Sequence, residues 1–196
     1  MPKVVDHEER RAEVAAAVWR AISQYGVEGT TIRLIAKEAG YSTGVLSHYF
    51  DGKDELLMYA LREAMSHTIE RMLDHAERKP AAAALRAVVR EALPLDEERR
   101  TEWLVWLAFW SRATTDERLR KEQIERYEAY RGGIRTLIEA GQEDGSLRRD
   151  VDAEEAAEDL VCQIDGMALQ AVFDPHRLTA RKQTRRIDRH LDRLRT

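Results

Sequence analysis

A short segment after residue 42 carries side chains suited to hydrogen bonding with the edges of nucleic-acid bases. Leu46 and Phe50, four residues apart, form the apolar side of a predicted helix over residues 43–50. The opposite side of that helix carries four small or polar residues: Thr43, Gly44, Ser47 and His48. Serine and threonine hydroxyls can pair with several base edges, so they give weak specificity when they act alone.

A second predicted helix must position this face. Its apolar stripe has the spacing i, i+3, i+4 and i+7 and consists of Ile32, Ile35, Ala36 and Ala39. Thr31 stands at the expected N-cap, and Gly40 follows the expected end of the helix. Two short helices across a glycine-containing turn predict a helix-turn-helix, whose second helix fits the major groove of DNA.

The whole string resembles the DNA-binding domain of the TetR family of bacterial repressors. It reads A-x-x-A-G from Ala36, S-T-G-x-x-S-H-Y-F from Ser42 and G-K-x-x-L-L from Gly52. Thr43 and Ser47 replace the lysine and tyrosine that many family members carry at these positions. The resemblance therefore implies DNA binding but does not imply a particular operator sequence.

Within that family, the chain is most similar to the BetI-type branch, the glycine-betaine regulators. The similarity is closest over residues 42–57. The segment W-L-V-W-L-A-F-W at residues 103–110 also resembles that branch, and I-D-G-M-A-L-Q-A at residues 164–171 resembles it more loosely.

The resemblance implies that ten residues contact operator DNA. Thr43 and Ser47 would enter the groove, where Gly44 between them lets the backbone approach closely. Polar residues around them would contact phosphates, which set the register without reading sequence. The ten residues are Thr31, Arg33, Ser42, Thr43, Gly44, Val45, Ser47, His48, Tyr49 and Lys53. For His48 and Tyr49 the alternative is packing against the following helix.

Lys53 gives a physical argument for DNA contact. A cation at the start of a helix interacts unfavourably with the helix dipole. A DNA phosphate at the same place would make the position of the cation favourable, because the two opposite charges attract. The charge balance argues in the other direction, because the net charge is −4 and residues 1–57 hold seven Lys and Arg against nine Asp and Glu. DNA affinity would then depend on the placement of Arg33, Lys37 and Lys53.

The pattern along the chain predicts an all-α fold of about nine helices. Apolar residues make up 43% of the 196 residues and charged residues 35%, without strand-like alternation or internal repeats. We expect a helix-turn-helix domain at residues 1–52 and a ligand-binding and dimerisation domain at residues 53–196, with a linking helix over about 53–77. No apolar run approaches the roughly 18 residues that span a bilayer. The single cysteine, Cys162, predicts a buried thiol and a reducing cytoplasmic location.

Capping residues predict several helix boundaries. Asp51 is expected to cap the fourth helix, Thr114 the seventh and Asp152 the eighth. The pair Gly132-Gly133 inside the seventh helix predicts a kink or the close approach of another helix. Leu73, on the fourth helix, is expected to face inward.

Aromatic side chains on the sixth predicted helix indicate either a ligand site or packing. The four are Trp103, Trp106, Phe109 and Trp110. Tryptophan faces attract cations, and aromatic boxes hold quaternary ammonium groups. With the branch resemblance, a choline-like or betaine-aldehyde-like ligand is a candidate, and Asp165 or Glu102 would supply the counter-charge. The alternative, which the sequence favours, is that the tryptophans pack in the core or in a dimer interface.

Apolar residues on the last two helices predict a homodimer interface. They are Leu160, Val161, Ile164, Ala168, Val172, Ile187 and Leu191. One helix-turn-helix buries too little surface for specific binding, and TetR-family members work as two-fold dimers. Basic residues between positions 177 and 195 are expected to form a solvated helix face, with a second nucleic-acid contact as the alternative.

These features favour a ligand-responsive transcriptional repressor that binds operator DNA as a homodimer and is released by a small-molecule inducer. No catalytic residues, cofactor or metal site are expected, since the chain has no G-x-S-x-G, G-x-G-x-x-G or P-loop motif. Two alternatives remain open: a multidrug-type sensor of bulky apolar or cationic ligands, and a helical ligand-binding protein that does not bind DNA.

Overall fold

Nine α-helices follow one another through the part of the chain that the structure describes. The computed structural model describes the backbone of residues 7–196 and their side chains except at positions 7–9, 23, 27–28, 61, 63–65 and 67. The helices are α1 (His7–Gly29), α2 (Ile32–Ala39), α3 (Thr43–Tyr49), α4 (Lys53–Arg78), α5 (Ala81–Glu91), α6 (Glu97–Ala113), α7 (Glu117–Glu143), α8 (Ala153–Phe173) and α9 (Ala180–Asp192). The predicted all-α fold is confirmed.

The residues at the ends of α2 and α3 have the side chains or the backbone conformation that helix caps require. Thr31 Oγ1 accepts a hydrogen bond from Leu34 N at 3.2 Å, and Ser42 Oγ accepts one from Val45 N at 3.3 Å. Gly40 ends α2 with a φ of 73°, a left-handed conformation that glycine adopts at little cost. The predicted start and end of α2 are confirmed, and the capping role of Ser42 is an additional finding.

The long helix α4 begins differently from the prediction. Gly52 is its N-cap residue, and no side chain bonds to the cap. The Glu55 carboxylate accepts a hydrogen bond from the Asp51 N–H. A glutamate in the first turn can reach back to the N–H groups before the helix, as in a capping box. The predicted Asp51 side-chain cap is therefore wrong, because Glu55 serves this helix end.

Helix α7 also differs from its predicted features. Its N-cap is Asp116 and not Thr114, which continues α6 in a helical conformation. The prediction of a close approach at Gly132-Gly133 is wrong, since a Cβ on either glycine would meet no atom within 4 Å. The close approach occurs at Gly141, where a Cβ would lie 2.6 Å from Leu147 Cδ1.

Two side chains lie on the opposite side of their helices from the side predicted. Cys162 is exposed, because the buried face of α8 runs through neighbouring positions such as Val161 and Ile164. Leu73 is 56% exposed on α4. The predicted Asp152 cap of α8 is confirmed, since its carboxylate accepts hydrogen bonds from the first backbone N–H groups of that helix.

Two apolar cores meet at α6. The first core gathers α1 to α4 around residues such as Ile35, and the second gathers α5 to α9 around residues such as Ile138. Helix α6 contributes Phe109 to the first core and Trp103 to the second. Trp110 packs against both cores. A displacement of α6 would therefore disturb the packing of both cores at once.

The capping role of Ser42 predicts a loss of stability on substitution. Ser42→Ala should lower the free energy of unfolding by about 1 kcal/mol, because the Val45 N–H loses its side-chain acceptor and keeps only the Ser42 carbonyl. Urea denaturation followed by circular dichroism measures this loss. Ser47→Ala is the matched control: Ser47 is exposed, its Oγ donates to Thr43 O within α3, and its loss should cost less than about 0.5 kcal/mol. Equal losses in the two variants would contradict the capping role.

Candidate nucleic-acid interface and aromatic cluster

The outward face of α3 carries the side chains that the sequence pattern predicted for it. Its exposed residues are Thr43, Gly44, Ser47 and His48. Leu46 and Phe50 are buried in the first core and anchor the opposite face. Because α3 is only seven residues long, these two apolar contacts and the Ser42 cap hold its polar face towards solvent.

Basic and hydroxyl side chains surround this face. Arg33 and Lys37 are exposed on α2, and Lys53 is half-buried at the first position of α4. Thr31 and Ser42 are also exposed, although their hydroxyl oxygens already accept the capping hydrogen bonds. A hydroxyl that accepts one hydrogen bond can still donate another, so capping and phosphate contact are compatible at both residues.

The two aromatic residues at the end of α3 differ in their surroundings. His48 is exposed, whereas Tyr49 is half-buried and packs against the first core. Their rings meet edge to face with centroids 5.4 Å apart. Val45 is half-buried on the preceding turn. Packing, the alternative considered for both aromatic residues, therefore describes Tyr49 better than His48.

Acidic side chains near this surface are paired with arginines. The pairs are Asp54–Arg112 at 2.6 Å, Glu55–Arg11 at 3.7 Å and Glu38–Arg20 at 3.9 Å. An ion pair reduces the potential that each partner would project into solvent. Only the Asp54–Arg112 pair takes its cation from outside residues 1–57, so it offsets one of the two surplus acidic charges in that segment.

Arg11 has a role that sequence reasoning missed. Its guanidinium carbon lies 4.8 Å from the Phe50 ring centroid and 4.6 Å from the Tyr59 ring centroid. Arg11 Nη1 also donates a hydrogen bond to Tyr49 O at 3.5 Å. These contacts join α1 to the end of α3 and to α4. The partners are distant along the chain, so no local pattern could have identified them.

The four predicted aromatic residues of α6 lie in one continuous cluster. Trp110 is its centre, with ring centroids 5.6 Å from Trp103, 6.5 Å from Trp106 and 6.2 Å from Tyr127 of α7. Trp106 in turn meets Phe109 edge to face at 6.3 Å. We call these five residues the aromatic cluster. The cluster packs against the two cores, as the packing interpretation expected, and the ligand-site interpretation stays a prediction.

Asp165 supplies the negative charge beside this cluster. Tyr127 Oη donates a hydrogen bond to Asp165 Oδ2 at 2.6 Å. Burial raises the pKa of Asp165 to about 6, although the hydrogen bond from Tyr127 opposes that change. Glu102, the other proposed counter-charge, instead pairs with Arg71 of α4 at 3.3 Å.

Several polar atoms in and beside the aromatic cluster have no hydrogen-bond partner among the side chains and backbone groups that the structure describes. They are Trp110 Nε1, Tyr130 Oη and Gln123 Oε1, all buried. Burial raises the pKa of the Tyr130 hydroxyl, and the negative charge of Asp165 raises it further. Buried polar groups are normally satisfied, so a set of orphaned donors and acceptors beside a carboxylate marks a candidate site for a small polar ligand.

Two arginines of α7 lie over rings of the aromatic cluster, and sequence reasoning did not identify either. The Arg126 guanidinium carbon is 5.6 Å from the Trp106 centroid and 5.3 Å from the Phe109 centroid. The Arg131 guanidinium carbon is 5.7 Å from the Tyr127 centroid. These distances are within the range of cation–π attraction.

The seven residues predicted for a dimer interface lie inside the single chain. Their side chains are between 0% and 5% exposed: Leu160, Val161, Ile164, Ala168, Val172, Ile187 and Leu191. They pack α8 and α9 onto the second core, and this burial makes them unavailable to a partner. The outer surface of α8 instead carries Cys162, Gly166, Leu169 and Phe173.

Two surface cavities lie on α8 and α9. One, of about 580 Å³, lies along α9 between Arg181 and Asp192. The other, of about 270 Å³, is lined by residues of α8 and α9 that include Cys162, Gly166 and Arg186. No tryptophan lines either cavity, so neither corresponds to the predicted ligand site.

Among the residues that the structure describes, no group of three or more histidine, cysteine, aspartate or glutamate side chains could hold a metal ion. Over the same residues, no helix is both long and apolar enough to cross a membrane.

Comparisons with known proteins agree with this architecture. Residues 14–60 match the family model of bacterial regulatory proteins of the tetR family, and residues 80–196 match that of the BetI-type transcriptional repressor C-terminal domain. The chain is 37% identical over 197 residues to the HTH-type transcriptional regulator PksA of Bacillus subtilis, covering 99% of this chain and 94% of PksA. It is 34% identical over 177 residues to the HTH-type transcriptional regulator BetI of Burkholderia lata, covering 88% and 87% of the two chains.

Solved structures share the fold over most of the chain. A transcriptional regulator from Rhodococcus sp. Rha1 has a TM-score of 0.79 at 29% identity, covering 94% of this chain and 95% of its own. A transcriptional regulator from Saccharomonospora viridis in complex with choline has a TM-score of 0.85 at 27% identity, covering 94% and 96%. The chain therefore belongs to the TetR family of transcriptional regulators, and its C-terminal part is of the BetI type.

Proposed function

We propose that this regulator represses transcription by binding operator DNA as a homodimer and that a small cationic molecule releases it. The exposed polar face of α3, held outward by its cap and its apolar anchors, is the observation that carries the proposal. Residues 1–52 would form the DNA-binding domain and residues 53–196 the domain for ligand binding and dimerisation. Operator DNA lies in the bacterial cytoplasm, where we expect the protein to act.

On DNA, α3 would lie in the major groove. The Thr43 and Ser47 hydroxyls would contact base edges, and Val45 would meet a thymine methyl group. Gly44 lacks a side chain and would let the backbone approach the groove. The surrounding contacts would go to phosphates through Thr31, Arg33, Ser42, His48, Tyr49 and Lys53. A phosphate beside Lys53 would also lie at the N-terminus of α4, where the helix dipole favours an anion.

Two substitutions separate phosphate contact from base contact. Lys53→Ala should weaken binding to all DNA sequences about equally and reduce the slope of log affinity against log salt by about 1. Ser47→Ala should change the preference at one base position. Fluorescence anisotropy with the promoter fragment adjoining its own gene, and with single-base variants of that fragment, measures both effects.

Lys121→Ala is the control for charge, because Lys121 is exposed on α7, away from the proposed interface. It should leave affinity and salt slope unchanged. Wild-type affinity and selectivity in both test variants would contradict the assigned interface and would favour a helical ligand-binding protein without DNA binding.

The dimer surface that we propose is the outer side of α8 and α9. Phe173 is 77% exposed at the end of α8, and Leu169 is exposed one turn earlier. The start of α8 exposes acidic residues, namely Glu154, Glu155, Glu158 and Asp159, whereas α9 exposes basic residues, namely Arg181, Lys182, Arg185, Arg186 and Arg189. In a two-fold pair, the acidic end of one α8 can face the basic side of the partner's α9. This arrangement explains the basic C-terminal segment without a second DNA contact.

The dimer predicts a specific mass in solution. Size-exclusion chromatography with light scattering at micromolar concentration should give twice 22.6 kDa for the wild type. Phe173→Glu should give 22.6 kDa, because it replaces the most exposed apolar side chain of the proposed contact with a charge that the dimer would bury. Ile124→Glu is the control, since Ile124 is 49% exposed on α7 and should remain outside the interface. A monomeric wild type would exclude the dimer.

The ligand that we propose is a quaternary ammonium compound related to choline. The aromatic cluster offers ring faces to a cation, Asp165 offers a negative charge, and the orphaned polar atoms nearby offer partners for a hydroxyl group. Choline in the related Saccharomonospora viridis structure supports the same class of ligand. A sensor of bulkier cations is the second candidate, favoured by the number of rings in the cluster.

The pKa of Asp165 predicts a pH-dependent affinity for choline. A pKa of about 6 means that Asp165 is largely ionised at about pH 7.5 and about nine-tenths protonated at about pH 5. Choline affinity should therefore fall about tenfold as the pH decreases across this range. Isothermal titration calorimetry measures this change. Asp165→Asn should bind weakly at both pH values, and an unchanged wild-type affinity would show that Asp165 is not the counter-charge.

A further inference from the structure

We propose that Arg126 is a resident cation of the aromatic cluster: it competes with a cationic ligand for the Trp106–Phe109 angle and transmits ligand binding to α4 through Glu122. This inference rests on the proposed cationic ligand. It adds the residue that sets the affinity for that ligand and links ligand binding to DNA binding.

The position of Arg126 is that of a bound cation. Its guanidinium lies within 6 Å of both the Trp106 and Phe109 ring centroids, and these rings meet edge to face. A guanidinium in that angle occupies the space that a quaternary ammonium group would need. A cation bound farther along the cluster, beside Trp110 and Asp165, would still be repelled by a like charge in the same half-buried region.

Arg126 shares its carboxylate partner, Glu122, with a second arginine. Arg62 of α4 donates to both carboxylate oxygens of Glu122, with Nε–Oε1 and Nη2–Oε2 distances of 3.1 Å. Arg126 pairs with Oε1 of the same carboxylate. Two guanidinium groups thus share one negative charge, and the pairing of Arg62 is bidentate. Burial lowers the pKa of Arg126, although its interactions with Glu122 oppose that change.

Glu122 connects this cation to the helix that begins beside the proposed DNA interface. Arg62 lies on α4, whose first residue is Lys53. If a ligand displaces Arg126, Arg62 no longer shares the Glu122 carboxylate with it, so the restraint between α7 and α4 changes. A ligand can shift α4 only through such a difference in interactions between its bound and free states.

The experiment compares three variants with the wild type. Arg126→Met keeps a long apolar side chain against the rings but removes the charge, and Arg126→Lys keeps the charge without the planar stack. Arg120→Met is the matched control, because Arg120 is exposed on α7 and pairs with Glu117 of the same helix. Tetramethylammonium is the probe. Tryptophan fluorescence and calorimetry give its dissociation constant, and anisotropy gives operator affinity with and without saturating probe.

The proposal expects Arg126→Met to bind tetramethylammonium about tenfold more tightly than the wild type, as loss of a desolvated cation–π competitor implies. Arg126→Lys should lie between them, and Arg120→Met should match the wild type. The ratio of operator dissociation constants with and without probe should fall towards one in Arg126→Met. If Arg126→Met stays folded and binds the probe no more tightly than the wild type, the proposal is wrong. The proposed function would still stand if the probe lowers the operator affinity of the wild type.

Two further outcomes separate the inference from the proposed function. If Arg126→Met binds tetramethylammonium and the wild type does not, Arg126 is the resident cation, and the proposed natural ligand class is wrong. If neither protein binds the probe while both bind operator DNA, the competition proposal and the ligand class both fail, and the DNA-binding role remains.

Discussion

Helix α6 belongs to both apolar cores, and this sharing couples the packing of the two groups of helices. Phe109 is buried with the helices of the helix-turn-helix, Trp103 is buried with α7 and α8, and Trp110 contacts both groups. Because protein interiors are close-packed, large side chains at this junction cannot shift for one core without disturbing the other. A ligand that changes the packing of α6 therefore has a physical route to the DNA-binding helices.

Ion pairs connect α4 to α5, α6 and α7 at several points along its length. Asp54, at its start, pairs with Arg112 of α6, and Arg62 pairs with Glu122 of α7. Farther along, Arg71 pairs with Glu91 and Glu102 of α5 and α6. Because these pairs are partly exposed, each contributes little to the free energy of unfolding. Together they restrain the position of α4 relative to the neighbouring helices. Only residues 50–52 separate α3 from α4, so a shift of the start of α4 would also move the end of α3.

The helix-turn-helix was the most predictable part of the molecule. Thr31 and Gly40 act within a few residues of the N–H and carbonyl groups they serve, and the apolar stripe of α2 has a helical period, so local sequence sufficed. The aromatic cluster was predictable only as a list of residues. Its relation to Arg126 and Asp165 brings together α6, α7 and α8, and no spacing along the chain specifies such a meeting.

The fold class, the family and the polar face of α3 follow from local properties of the chain, namely periodicity, caps and motifs. Which side of each longer helix is buried depends on how the helices pack against one another. Leu160 and Ile187 form the core of one chain and not a dimer surface, whereas Cys162 and Leu73 face solvent. An apolar stripe shows that a helix face will be covered, but the identity of what covers it depends on helices distant in sequence.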